Sequence, residues 1–458
     1  MTLPRLLFCA VLLVFSALFC AFYGASNVAT PPPPVFNRRG LKKLIAFSLR
    51  KQIEGDGPEY ACERRRAAAA AEILAARAAG HWTRVENTEA YVRTVGLDER
   101  LRPYRYLRFV GAVKGSANEA IYCQIYYGRG SFRTVKATIT PVWYGEWDAS
   151  HNDTSYYNPT LISCRLPIST STPTSVSLST SPCDEATSRL EIPVASRRAV
   201  DFTVCVKPLN FDQDVSDRLV RWIEICRIFG AQRFHIYVGN VTDETRATLK
   251  WYKASYPGLL RLENFRPISE TGRSVWQRRR YEVVAYNGCF YKNLDSKFVV
   301  PLDVNEVIVP KLDTTWSQLV QSLPRWSEYA SLVIRNVYFF GGFGDAFIFG
   351  RNMKSRVRTK AGDHVKSFIS TENALTVFNH YALSVLVPSA RSRYLVPIAR
   401  AQLNHYKDDC DATILPECSV YLASPRVPDT SIFRFKKVFD VKYRERSEAL
   451  RGYLEGRV

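Results

Sequence analysis

Asp303, Asn305 and Glu306 stand in the decapeptide PLDVNEVIVP, residues 301–310, between the apolar runs Phe298–Val300 and Val307–Val309. A short apolar run of this kind reads as a buried strand. Carboxylates at the end of such a strand are costly to bury unless they are paired or hold a cation. Hard oxygen donors there suit a divalent cation that also touches substrate phosphates. Without other context, the same residues also suit an ordinary polar strand end. His405 alone reads equally as a satisfied histidine or as a ligand. Gly341-Gly342-Phe343-Gly344 before Asp345 reads as a turn or as a loop facing a ligand. Arg278–Arg280 reads as a solvated helix face rather than a phosphate clamp.

The elements that must position these residues alternate. Strands are expected at Phe202–Leu209, Phe234–Val238, Leu259–Phe265, Lys297–Pro310 and Tyr329–Phe340. Helices are expected at Ser216–Gly230, Asp243–Ser255, Val275–Asn293 and Thr314–Leu323, with Gly230 as the stop of the first. Alternation of this kind implies βαβ units and a mostly parallel sheet. Ligands of such sheets bind beyond the carboxyl ends of the strands, which is where the decapeptide puts its acids. Residues 85–195 have another texture. Tyr104–Val110, Ala120–Tyr127 and Phe132–Trp143 have strand character, while Ser169–Ser181 reads as a loop or an exposed β segment.

Length and composition set the frame. A chain of 458 residues exceeds one ordinary core. Apolar residues at 46% and charged residues at 23% exclude a disordered chain. The net charge of +20 raises the prospect of polyanionic partners. The basic residues are dispersed, however, and no nucleic-acid-binding motif accompanies them. Leu6–Tyr23 carries no charge and is long enough to cross a bilayer. It reads as a signal anchor behind a cytoplasmic tail of residues 1–5. Cleavage after Gly24-Ala25-Ser26 is the alternative reading. Either one sends the rest of the chain into the secretory pathway and argues against a nucleic-acid partner. The four-proline run Pro31–Pro34 and the Ala/Arg-rich Arg64–Ala79 suggest a stem over residues 24–84.

Asn152-Asp-Thr154 and Asn240-Val-Thr242 are glycosylation acceptors, in keeping with a lumenal address. Beyond Cys9 and Cys20, the cysteines are Cys62, Cys123, Cys164, Cys183, Cys205, Cys226, Cys289, Cys410 and Cys418. None has the spacing of a metal site, so disulfides are expected, with Cys410–Cys418 the first guess by proximity. The odd number leaves at least one thiol free or paired between chains.

Residues 203–409 resemble glycosyltransferase family 92. The resemblance rests on an ordered set of segments. TVCVKPLNFDQDVSDRLVRWIEICRIFGAQRFHIYVGNVT comes first; Gln277 through AYNGCFYK to PLDVNEVIVP follows; then come VKSFIS with His380 downstream, and LNHYK with His405 and Tyr406. This chain has Asn305 and Lys407 where the family pattern has Asp and Arg. The resemblance implies a GT-A-like, mostly parallel sheet flanked by helices over residues 200–455. The smaller β-rich domain, the stem and the membrane anchor precede it.

The activity it implies is a metal-dependent, inverting transferase that moves galactose from UDP-galactose to a glycoprotein glycan, fucose of N-glycans included. A Golgi membrane address goes with it. Implied donor-binding residues are Asp303, Gln277 and Lys366. Implied ligands of Mn²⁺ or another divalent cation are Asp303, Asn305, Glu306 and His405. The resemblance does not identify the general base; Asp345, after the Gly341–Gly344 segment, is the catalytic candidate, in a loop suited to acceptor contact. Asn305 also keeps open a relative that retains the fold and binds glycan or nucleotide without transfer.

Overall fold

The decapeptide is not one strand. In a computed structural model of the chain, Ser296–Pro301 and Glu306–Pro310 are separate strands joined by a turn, and they belong to different sheets. The expected strand Tyr329–Phe340 breaks in the same way, into Tyr329–Ile334 and Asn336–Phe340. The structure describes residues 81–456 apart from 116–118, 128–131, 145–152, 169–170, 185–187, 194–198, 270–273, 342–346 and 411–416. Residues 6–23, Asn152 and Asp345 therefore lie outside the described residues. No helix among the described residues is long and apolar enough to cross a membrane.

The larger sheet has seven strands. From one edge they are Leu260–Asn264, Arg233–Val241, Val200–Phe211, Ser296–Pro301, Lys366–Ser370, Tyr329–Ile334 and Arg391–Leu395. Lys366–Ser370 runs antiparallel to both of its neighbours; the other neighbouring pairs are parallel. The smaller sheet orders Glu306–Pro310, Ala401–Lys407 and Asn336–Phe340. One apolar core joins both sheets to the helices, with Trp222, Trp316, Val300, Ile308 and Leu403 among its buried members.

The helices form where their end signals lie. Thr242 caps Asp243–Ser255 by accepting from the Thr245 amide, with Asp243 and Glu244 in the first turn. Ser274 caps Val275–Lys292 by accepting from the Trp276 amide. Gly230 ends Ser216–Phe229 in the left-handed region, at φ 113°, where a side chain would be strained.

Residues 83–191 form a five-stranded and a four-stranded sheet sharing one core, which includes Phe109, Ile162, Ile125 and Val176. The Cys123–Cys164 disulfide links one sheet to the other. The first strand, Thr83–Arg84, already lies inside the segment expected to be stem. The Ser/Thr-rich stretch is also more buried than expected, although Ser171, Thr172 and Thr174 are exposed. Pro173–Ser179 is a mostly buried strand, because Val176 and Leu178 face the shared core while Ser175 and Ser177 are packed away from water.

The helix Val275–Lys292 lies against both the seven-stranded sheet and the β-rich part, and most of it is buried. Gly288 permits this approach. A Cβ there would come within 2.6 Å of the Tyr237 hydroxyl and 3.2 Å of Thr94 Oγ1. Disulfides also pair Cys205 with Cys289 and Cys410 with Cys418, the latter as expected from proximity. Cys226 is free and buried.

Candidate active site

The turn between the two halves of the decapeptide is fixed by its own backbone. Leu302 N donates to the Cys205 carbonyl at 3.1 Å, and Glu306 N donates to the Asp303 carbonyl at 2.9 Å. The Glu306 carboxylate folds back and accepts from Asp303 N at 3.0 Å. This brings the two acids together at the carboxyl end of Ser296–Pro301. The Asp303 carboxylate meets cations and a hydroxyl on its remaining sides. Lys207 Nζ lies 3.3 Å and Lys366 Nζ 3.7 Å from Oδ2, and Tyr286 Oη donates to Oδ1 at 3.4 Å. Lys366 also reaches Glu306 Oε2 at 3.2 Å, and His405 Nδ1 stands 3.5 Å from Glu306 Oε1.

Burial and charge push these groups apart in acidity. Burial alone would raise Asp303, but Lys207 and then Lys366 hold it well below the usual carboxylate range. Glu306 is pushed up to about 7 by burial, which Lys366 opposes and the Asp303 charge reinforces. His405 is lowered to about 3 by burial and by nearby Lys407, so its ring is neutral at pH 7. The Tyr338 ring packs on it at 5.1 Å between centroids.

Asn305 is engaged elsewhere. Its Nδ2 donates to the Tyr406 carbonyl at 3.0 Å, and the Tyr406 amide donates to the Asn305 carbonyl at 2.9 Å. The residue extends the ladder that pairs Glu306 with His405. Among the described residues, no three His, Cys, Asp or Glu side chains are grouped to hold a metal ion. Asp303 and Glu306 are neutralised by lysines, and Asn305 is held by the chain. In this arrangement the four expected ligands do not fit a resident cation.

Gln277 lies on another face of its helix. Its Oε1 accepts from Tyr157 N at 2.8 Å and its Nε2 donates to Tyr157 O at 3.1 Å, so the amide is taken up by the β-rich part. Arg280 corrects the expectation of a solvated Arg278–Arg280 face. It is fully buried, donates to Asn158 Oδ1 at 2.8 Å, and stacks its guanidinium on Trp143 at 4.5 Å and Tyr156 at 4.2 Å. Arg278, by contrast, is exposed. His380 is bonded through Nδ1 to the Val365 carbonyl at 2.7 Å rather than to the Asp303 cluster.

Lys207, Glu282 and Tyr286 were not singled out by the sequence. Glu282 and Tyr286 are four residues apart on Val275–Lys292, which puts them on one helix face. Glu282 Oε1 accepts from Lys207 at 3.2 Å. Polar groups at that spacing among apolar neighbours were the available signal.

Two lysines, two carboxylates and a tyrosine hydroxyl thus converge beyond the carboxyl end of Ser296–Pro301. The family model of glycosyltransferase family 92 matches residues 200–448, more than half of the chain, and the chain belongs to that family. It is a glycosyltransferase, with a sugar donor and a glycan acceptor as its substrate classes. Comparison with curated proteins gives no match.

Proposed function

We propose that this glycosyltransferase moves galactose from UDP-galactose to a glycoprotein glycan, fucose of N-glycans being one acceptor, with inversion at the anomeric carbon. The reading places a GT-A-like catalytic part in the Golgi lumen, behind a type II anchor at residues 6–23. The observation that carries it is the Asp303 carboxylate, fixed by Lys207, Lys366 and Tyr286 at the carboxyl end of a central strand within the matched segment. Its side chain keeps 22% of its surface open, enough to accept a hydrogen bond from a donor hydroxyl. The acceptor oxygen attacks the anomeric carbon from the face opposite the diphosphate. The bond from that carbon to the phosphate oxygen breaks, and UDP departs with the electron pair. The acceptor proton passes to a carboxylate, the role proposed for Asp345. Negative charge grows on the departing diphosphate, and Lys366, held beside Asp303, supplies fixed positive charge against it. The disulfides and the exposed Asn240 acceptor support the lumenal address.

Asn305 favours a second reading, a relative that binds glycan or nucleotide without transfer, because its amide is spent on Tyr406. One experiment separates the two. The full chain is incubated with UDP-galactose and a panel of N-glycan acceptors, with Mn²⁺ or with EDTA. The first reading expects transfer that Asp303→Ala abolishes without loss of folding. Absence of both transfer and donor hydrolysis in the natural chain, with either appearing in Asn305→Asp, establishes the second.

A further inference from the structure

We propose that Lys207 binds the diphosphate of the sugar-nucleotide donor, leaving Asp303 to do so; this rests on the sugar-nucleotide reading above. Lys207 lies toward the carboxyl end of the central strand Val200–Phe211. Pairing of that strand with Ser296–Pro301 ends at Cys205, and its register with Arg233–Val241 shifts between Val206 and Leu209. Irregularities of this kind re-aim a side chain beside a site. Here the Lys207 ammonium is turned onto Asp303 and Glu282, at 3.3 and 3.2 Å.

The two lysines on Asp303 differ in reach. The Lys366 side chain is 4% exposed, whereas that of Lys207 is 27% exposed, so Lys207 is the one an entering anion meets. Lys207 can also leave without stranding a charge. Asp303 Oδ2 retains Lys366 at 3.7 Å, and Glu282 retains Arg279 at 3.5 Å. A single carboxylate released to nothing would oppose the movement, and here neither one is. A compact ammonium on a flexible stem suits a phosphate oxygen arriving between partners already satisfied.

The test compares binding of UDP, uridine and inorganic pyrophosphate by calorimetry to the full chain and to Lys207→Ala, Lys207→Gln and Lys207→Arg. Uridine lacks the diphosphate and isolates its contribution. Loss of one charge-assisted contact should weaken UDP and pyrophosphate about tenfold or more in Lys207→Ala and Lys207→Gln. Uridine binding should be unchanged, and Lys207→Arg should keep most of the affinity. Thermal melts identify a variant that fails to fold, and the remaining variants then decide. If the natural chain binds UDP and transfers sugar while folded Lys207→Ala or Lys207→Gln binds UDP equally well, the proposal falls and the sugar-nucleotide reading stands. If the natural chain neither binds UDP nor transfers sugar, both fall.

Discussion

Replacing Asn305 by Asp, the residue of the family pattern, should destabilise this chain at neutral pH. The Asn305 amide donates to the Tyr406 carbonyl at 3.0 Å, and the reciprocal backbone bond is 2.9 Å. In the same rotamer a carboxylate would face that carbonyl oxygen to oxygen. One hydrogen bond is lost and a partly buried acceptor is left unpaired, for a cost of about 1–3 kcal/mol. In a protein of this size that lowers Tm by roughly 1–3 °C. In its protonated form the introduced carboxyl can donate its O–H to the same carbonyl, so its folded pKa should lie above the unfolded value of about 3.9. The penalty is then full above the folded pKa and fades as pH falls toward the unfolded one. Thermal melts of both proteins from pH 7.5 to 4.5 measure the difference. An Asn305→Asp variant as stable as the natural protein at pH 7.5, or a deficit that widens on acidification, would refute the reasoning.

The segment 200–448 expressed without the β-rich part should aggregate, because Gln277 and Arg280 would lose Tyr157, Asn158 and their ring partners; size-exclusion chromatography checks this. Removing the Cys205–Cys289 disulfide by double Ala substitution, across a sequence separation of 84 residues, should cost about 4.6 kcal/mol of loop-closure entropy. A denaturant midpoint unchanged by that double substitution would count against it. His235, His380 and His405 are held neutral chiefly by burial, below their ordinary pKa, and all take up protons on unfolding. Stability should therefore fall as pH drops from 7 to 5, with Glu306, whose folded pKa is raised, opposing it in part. Urea midpoints across that range give the slope, which His405→Asn should reduce.

Much of the alternating half was legible because its signals are local. Gly230 marks the end of the first helix, and the structure uses it; Thr242 and Ser274, which cap the next two, are signals of the same local kind that were not read. The breaks at residues 302–305 and at Arg335 were hidden because apolar runs flank each one closely, so the few polar residues between read as part of a single strand. A change of sheet leaves no mark on hydrophobic periodicity when both sheets are buried. At the site, the ordered motifs pointed to Asp303, Glu306, Lys366 and His405, which the fold brings together. Lys207 escaped because its meaning depends on Glu282, far along the chain on a helix that packs over its strand. Arg280 escaped because its burial comes from Trp143 and Tyr156, in a part of the chain that looked like a separate domain.

Asp303 closes a strand of one sheet, whereas Glu306 and His405 sit on strands of another. The gap between the two acids is held locally, by the turn bonds between Asp303 and Glu306, but the place of His405 beside Lys366 depends on how the two sheets meet. The decapeptide is consequently not a portable cassette. Grafted onto a single continuous strand of another protein, it would send alternate side chains to opposite faces and lose the cluster. Conversely, a core substitution far from the site that tilts one sheet by a few degrees would shift His405 against Lys366 while leaving every residue of the motif in place.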